Sequence, residues 1–211
     1  MSFRLFGISV EITVPFCLLL AFMLLVDRTG MMSHMLLAVC LHEGGHLLAM
    51  ARCAALPKAL RLRAGTVAIE KSGRLLRPGQ EACIAAAGPA ANLVLAAVGL
   101  LWYGCTGLYA AAVTALTNLL FAAYNLLPIL GLDGGDLCLL ALSGRMGERR
   151  AARLMGLMSW GLIIGLLAAG TYLLAQGAPN PTLLTTGVYL AFMQALKGRR
   201  PQALGRGADG K

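Results

Sequence analysis

Apolar residues fall into six long runs separated by short polar segments, and this pattern predicts a membrane protein. The runs have these approximate bounds: 12–26, 31–51, 80–103, 108–127, 154–174 and 182–196. A helix of about 20 apolar residues crosses a bilayer, and the last run, which is shorter, would need tilt adjustments or flanking residues to do so. We therefore predict an all-α polytopic membrane protein with about six transmembrane helices.

The polar segment between the second and third runs has a different pattern. Residues 60–63 and 66–70 alternate between apolar and polar, as the residues of half-buried strands do. Between spans two and three we predict a β-hairpin or small sheet, with a turn at 71–74. A shorter alternation at 8–14 predicts an interfacial strand ahead of the first span.

The chain divides unequally into a long membrane domain and a short tail. Residues 1–196 hold all six runs and are predicted to form one domain, whereas 197–211 are polar, glycine-rich and predicted to be disordered. Only Arg4 precedes the first apolar run, and no small-residue cleavage site follows that run. We expect a retained first span rather than a signal peptide.

Composition and charge exclude two classes of protein. The chain is 58% hydrophobic and 13% charged, whereas soluble domains carry about 25% charged residues. The net charge of +9 could indicate nucleic-acid binding, but 17 of the 18 Lys and Arg residues fall in segments on one side of the six spans, and only Arg28 falls on the other. The positive-inside rule explains this distribution with both termini cytoplasmic. No nucleic-acid motif is present.

Candidate chemistry is concentrated in the second span, which contains His42-Glu43-Gly44-Gly45-His46. On a helix, residues four apart share one face, so both imidazoles can reach one metal ion. A carboxylate beside them can hold the water that a zinc hydrolase activates. Ionisable groups in an apolar run are costly unless they are paired or bound to metal. None of the six cysteines forms a CxxC pair, so no cysteine site is predicted.

A third ligand is needed, because a catalytic zinc usually takes three ligands from the protein. Asp133 is the best-placed candidate, since it follows a strongly apolar run at the point where Pro128 and several glycines break the fourth span. It lies near the inner end of that span, at a depth similar to that of the two histidines. Asp136, Asp27 and His34 stay open as alternatives, and the Asp-Gly pair could also be an ordinary turn.

The third span contains Gly88-Pro89-Ala90-Ala91-Asn92. Pro89 removes one helical hydrogen bond, and Gly88 permits a local bend. Asn92 is a polar side chain at membrane depth and should have a hydrogen-bonding partner. Considered alone, this motif favours a kinked packing helix with an interhelical hydrogen bond.

Three motifs in order resemble the site-2 protease family, the intramembrane zinc metalloproteases of peptidase family M50. They are the HEGGH of the second span, the Gly-Pro-Ala-Ala-Asn of the third, and Asn125-Leu126-Leu127-Pro128 with the following Leu132-Asp133-Gly134. The resemblance covers roughly residues 1–195. The layout is similar to the six-span branch that processes sporulation factors, although we expect no CBS domain and no PDZ-like insertion in this chain.

The resemblance implies a role for each motif residue. His42, His46 and Asp133 would bind one Zn²⁺ per chain, and Glu43 would be the catalytic carboxylate. Substrate-positioning or structural roles would fall to five further residues: Asn125, Pro128, Gly88, Pro89 and Asn92. The segment 58–75 would dip into the membrane and engage substrate, as the corresponding hairpin is thought to do in the family.

The expected activity is regulated intramembrane proteolysis of a transmembrane protein or peptide, catalysed by a zinc metalloendopeptidase. The protein would lie in the lipid bilayer of a bacterial cell membrane, with its active site toward the cytoplasm. Another membrane protein could act as its regulator. One alternative is a metal-ion or proton transporter, because intramembrane His, Glu and Asp also mark ion pathways. Another is an inactive relative that binds membrane proteins without cutting them.

Overall fold

A computed structural model describes residues 2–5, 8–63, 66–70, 75–177 and 180–198 of the chain. The chain falls into two compact units, Met1–Leu127 and Pro128–Lys211. Seven helices and four strands lie within the described residues. The predicted turn at 71–74 and most of the predicted tail, 199–211, lie outside them.

The first unit contains a four-stranded sheet whose strands lie in the order β1-β2-β3-β4. The strands are β1 Ser2–Leu5, β2 Ile8–Ile12, β3 Ala59–Arg63 and β4 Thr66–Glu70. The β1–β2 and β3–β4 pairs are antiparallel, and β2 pairs with β3 in parallel, with Val10 opposite Leu60. A parallel pair needs a long crossover connection, and here the first two helices provide it.

Four helices complete the first unit: α1 Val14–Val26, α2 Met31–Arg52, α3 Pro78–Thr106 and α4 Tyr109–Asn125. Capping interactions fix the start of α2 and the end of α3. The carboxylate of Asp27 accepts a hydrogen bond from the Met32 N–H in the first turn of α2 (2.7 Å), a group with no partner inside the helix. The α3 helix ends at Gly107, whose φ of +65° forms a left-handed cap.

Small residues bring α2, α3 and α4 close together. A Cβ added at Gly45 of α2 would lie 2.5 Å from the carbonyl oxygen of Ala87 in α3. At Gly99 of α3, a Cβ would lie 3.0 Å from that of Ala115 in α4. Side chains this small let helix backbones approach each other. Among the polar residues buried in these helices are His42, His46, Asn92 and Asn118.

The second unit contains α5 Asp133–Met146, α6 Glu148–Ala175 and α7 Thr182–Gly198. The last two pack closely at Gly170, where a Cβ would lie 2.8 Å from the backbone nitrogen of Leu184. The α5 helix was not predicted from the sequence. Its 14 residues begin with an Asp-Gly-Gly sequence and end near arginine, so neither its length nor its hydropathy distinguishes it from a polar connection.

Among the residues that the structure describes, the helices α3 and α6 are long and apolar enough to cross a membrane, and shorter apolar helices lie at Val14–Val26 and Thr182–Leu196. Large apolar side chains on several helices are exposed; Leu25, for example, has 85% of its surface accessible. Contiguous exposed apolar surface is typical of membrane or protein contacts. These features favour association with a membrane, whereas the six spans and their orientation stay predictions.

Candidate metal centre

The α2 helix brings His42 and His46 together on one buried face. Their exposed fractions are 4% and 8%, and their Nε2 atoms lie 3.1 Å apart. The two rings meet edge to face, with centroids 4.7 Å apart. This arrangement follows from the four-residue spacing, which stacks the two side chains over consecutive turns of the helix.

The other ring nitrogen of each histidine is held by a group on α3. The Nδ1 atom of His46 lies 2.8 Å from the main-chain oxygen of Ile84, and the Nδ1 atom of His42 lies 2.8 Å from Oδ1 of Asn92. A carbonyl oxygen can only accept a hydrogen bond. His46 therefore donates from Nδ1.

The orientation of the Asn92 amide decides the role of His42. Its Nδ2 group donates to the main-chain oxygen of Ala38 (2.9 Å) and to Oδ1 of Asn118 (2.8 Å). Both hydrogens of the amide are therefore used, and the Asn92 oxygen faces His42. His42 must also donate from Nδ1, so when both rings are neutral their Nε2 atoms, 3.1 Å apart, are both acceptors.

This geometry fits a metal ion. Two acceptor nitrogens cannot hydrogen-bond to each other, and a cation held by both removes their mutual repulsion. Imidazole nitrogens suit zinc, and metal-binding histidines usually donate their second N–H to a carbonyl or carboxylate. Both His42 and His46 meet these conditions.

Gly88 of α3 lies directly against the two rings. A Cβ there would be 2.6 Å from Cε1 of His46 and 2.9 Å from Cε1 of His42, and closer still to Nε2 of His46. The neighbouring Pro89 is fully buried inside the helix, where it removes one backbone hydrogen bond. On the α4 side, the Phe121 ring meets the His42 ring edge to face, with centroids 5.2 Å apart.

Glu43 follows His42 on α2 and is half-buried. The next residue, Gly44, is exposed, and nothing lies within 4 Å of the position that a Cβ would take there. Successive residues of a helix point about 100° apart. The side chain of Glu43 therefore leaves the helix beside the histidine face rather than on it.

In the second unit, Asp133 is the first residue of α5 and is half-buried. The turn ahead of it is held by Ser159 of α6, whose hydroxyl accepts from the Leu130 N–H (2.9 Å) and donates to the Met155 carbonyl (2.7 Å). A Cβ on Gly135 would lie 2.5 Å from the main-chain carbon of Ile129. The residues around Asp133 are thus closely constrained.

Two of the three alternative ligands, Asp27 and His34, have other hydrogen-bonding partners and lie far from His42. Asp27 accepts hydrogen bonds at the start of α2, and the Thr29 hydroxyl, its strongest partner, lowers the pKa of its carboxyl. Since a helix rises 1.5 Å per residue, Asp27 lies more than about 16 Å from His42 along the axis of α2. His34 lies about 12 Å from His42 by the same measure, and its Nδ1 atom is 2.8 Å from the Thr114 hydroxyl. Asp136 is exposed.

Two of the described polar residues are fully buried and were not identified from the sequence: Asn118 of α4, in the first unit, and Ser159 of α6, in the second. Asn118 lies in an apolar run, as Asn92 does, so the same argument from the cost of burying an amide could have found it. The predicted residue Asn125 is the last of α4, 9% exposed, and its Nδ2 donates to the Phe121 carbonyl (3.0 Å). Pro128 follows it in the connection to α5 and is half-buried.

Comparison with known proteins supports the fold. No family model matches this chain, and no curated protein matches it in sequence. Among solved structures, the site-2 protease from Methanocaldococcus jannaschii is similar, with a TM-score of 0.65 and 19% sequence identity over 98% of this chain and 99% of that one. The resemblance to site-2 proteases that the motifs indicate is confirmed in the fold.

Proposed function

We propose that this chain, which has the fold of a site-2 protease, is an intramembrane zinc metalloprotease. It hydrolyses a peptide bond in or near a transmembrane segment of a membrane-protein substrate. The observation that carries the proposal is the pair of buried imidazoles, His42 and His46, whose Nε2 atoms face each other at 3.1 Å while each Nδ1 is held by an acceptor.

The zinc ligands in this proposal are His42, His46 and Asp133, which together bind one ion per chain. Two neutral imidazoles and one carboxylate, with a fourth position left for water, are a typical catalytic zinc set. The histidines are buried and Asp133 is half-buried, as suits ligands that must be kept from bulk solvent. When bound, zinc lowers the pKa of a water ligand toward about 7 and polarises the scissile carbonyl.

Glu43 moves the proton in this scheme. Its carboxylate takes a proton from the attacking water as the water oxygen bonds to the carbonyl carbon. It then gives that proton to the amide nitrogen as the carbon–nitrogen bond breaks. The products are a carboxylic acid, which keeps the second proton of the water, and a free amine, and Glu43 returns to its starting state. General acid–base catalysis of this kind contributes roughly 10²–10⁴-fold to the rate.

A transmembrane substrate must be locally unwound before it is cut, because a helix hides its carbonyls in hydrogen bonds. We assign substrate-positioning or structural roles to Asn125, to Pro89 inside α3 and to the helix break at Pro128. The strand β4 lies at one edge of the sheet, and an extended substrate segment could pair with such an edge. The chain works in the bilayer of a bacterial cell membrane, with its active site toward the cytoplasm and a membrane partner as regulator.

The test is comparative membrane proteomics of the source cell with wild type and Glu43→Gln. We expect membrane-protein fragments cut near the inner leaflet to disappear in Glu43→Gln, because an amide cannot accept the proton. Glu81→Gln is the matched control, since Glu81 is an exposed glutamate in the first turn of α3. Zinc content should be the same in all three proteins.

Two results would contradict the proposal. Processing by Glu43→Gln at the normal rate would remove Glu43 from the mechanism. Metal-dependent flux into vesicles that contain the purified protein, with no proteolysis under any condition, would favour the transporter alternative instead.

A further inference from the structure

A continuous set of hydrogen bonds runs from α4 to the metal-binding face of α2. The Nδ2 group of Asn118 donates to the main-chain oxygen of Thr114 (2.8 Å), and its Oδ1 accepts from Asn92 (2.8 Å). Asn92 in turn accepts from Nδ1 of His42 (2.8 Å). We infer that Asn118 is a positioning residue, which holds His42 through Asn92 in the state that binds metal. This inference rests on the proposed function.

The direction of the hydrogen bonds is set by backbone carbonyls, which can only accept. The Thr114 oxygen requires the NH₂ group of Asn118, so Asn118 presents its oxygen to Asn92. The Ala38 oxygen likewise requires the NH₂ group of Asn92. If the Asn92 amide were reversed, its oxygen would face two acceptors and its NH₂ group would face His42. Asn118 therefore helps to exclude the reversed orientation.

Because these groups are buried, losing any one of these hydrogen bonds is costly. Asn92, Asn118 and Ala38 are each 0% exposed, so water cannot replace a bond that is removed. Without the Asn118 oxygen, one N–H of Asn92 would be buried without an acceptor, which is costly. The Asn92 amide would then rotate more freely, and His42 would no longer be restricted to the tautomer that leaves Nε2 open for a metal.

The first test is zinc affinity of the full chain in lipid nanodiscs, measured by competition with a chromophoric chelator. We expect Asn118→Leu to bind zinc about 10-fold more weakly, the lower end of the loss seen when outer partners of metal ligands are removed. Asn118→Asp should restore most of the affinity, because a protonated carboxyl accepts from Asn92 and donates to the Thr114 carbonyl. Leu116→Ala, at an exposed position of the same helix, leaves these hydrogen bonds in place and should bind as wild type does.

The second test is ¹⁵N NMR of labelled histidine in the metal-free protein, which reports the His42 tautomer directly. For His42 we expect one tautomer, protonated at Nδ1, in wild type and in Leu116→Ala, and a mixture in Asn118→Leu. Equal zinc affinities for wild type and Asn118→Leu, or equal losses in Asn118→Leu and Leu116→Ala, would overturn the inference. If wild type bound no zinc, the proposed function would fail, and the NMR result alone would decide whether Asn118 positions His42.

Discussion

Substitution of Gly88 by alanine tests the metal centre most directly, because the added methyl group would overlap both imidazoles. It would lie 2.6 Å from Cε1 of His46 and 2.9 Å from Cε1 of His42. Carbon atoms are in comfortable contact at about 3.5 Å or more, so His46 would have to retreat by about 0.9 Å. Metal ligands tolerate displacements of only about 0.2 Å.

The rings have little room in which to move. Their Nδ1 atoms are tied to Ile84 and Asn92, and Phe121 packs against His42. Overpacking of a dense interior costs about 1–3 kcal/mol. If the metal-bound geometry carries that strain, zinc binds between about 5-fold and about 150-fold more weakly, since 1.4 kcal/mol is a factor of ten. We expect the upper part of this range, because the overlap is with the ligands themselves.

The assay is chelator competition for zinc, with proteolysis of a substrate identified by proteomics as a second measurement. Gly104→Ala is the matched control, since it lies on the same helix and nothing is within 4 Å of its Cβ position. That variant should bind zinc and cut substrate as wild type does. Wild-type zinc affinity in Gly88→Ala would refute the placement of this glycine against the two rings and the metal-site geometry derived from it.

Two further predictions concern the supports of the site. Gly45→Ala should lower the free energy of unfolding by about 1–3 kcal/mol, because its Cβ would meet the Ala87 carbonyl. Gly44→Ala, where the Cβ would lie in open space, should raise the free energy of unfolding by about 0.5–1 kcal/mol. Equal effects of the two substitutions in denaturant unfolding would contradict the packing of α2 against α3. Ser159→Ala should cost about 1–3 kcal/mol, because the Leu130 N–H loses its acceptor, and unchanged unfolding would show that this bond contributes nothing to stability.

Local patterns in the sequence predicted several elements because those elements depend on neighbouring residues. Long apolar runs correspond to α1, α2, α3, α4, α6 and α7, and alternating residues correspond to β2, β3 and β4. The helix α5 was missed, since Asp-Gly-Gly is typical of a turn and the helix has no long apolar run. The parallel pairing of β2 with β3 was also not predicted, because it joins segments more than 40 residues apart and no local pattern encodes a partner at that distance.

The sequence by itself determined which donors the chain offers and how two of them are spaced. His42 and His46 share a face on any helix, because four residues make about one turn. Only the tertiary structure decided which groups contact these histidines. The Ile84 carbonyl accepts from His46, and the Asn92 amide, hydrogen-bonded to Asn118, accepts from His42. Gly88 has no side chain and therefore leaves room for both rings. These contacts depend on how α2, α3 and α4 pack, and helix packing is set by the shapes of distant surfaces rather than by the order of residues along one helix.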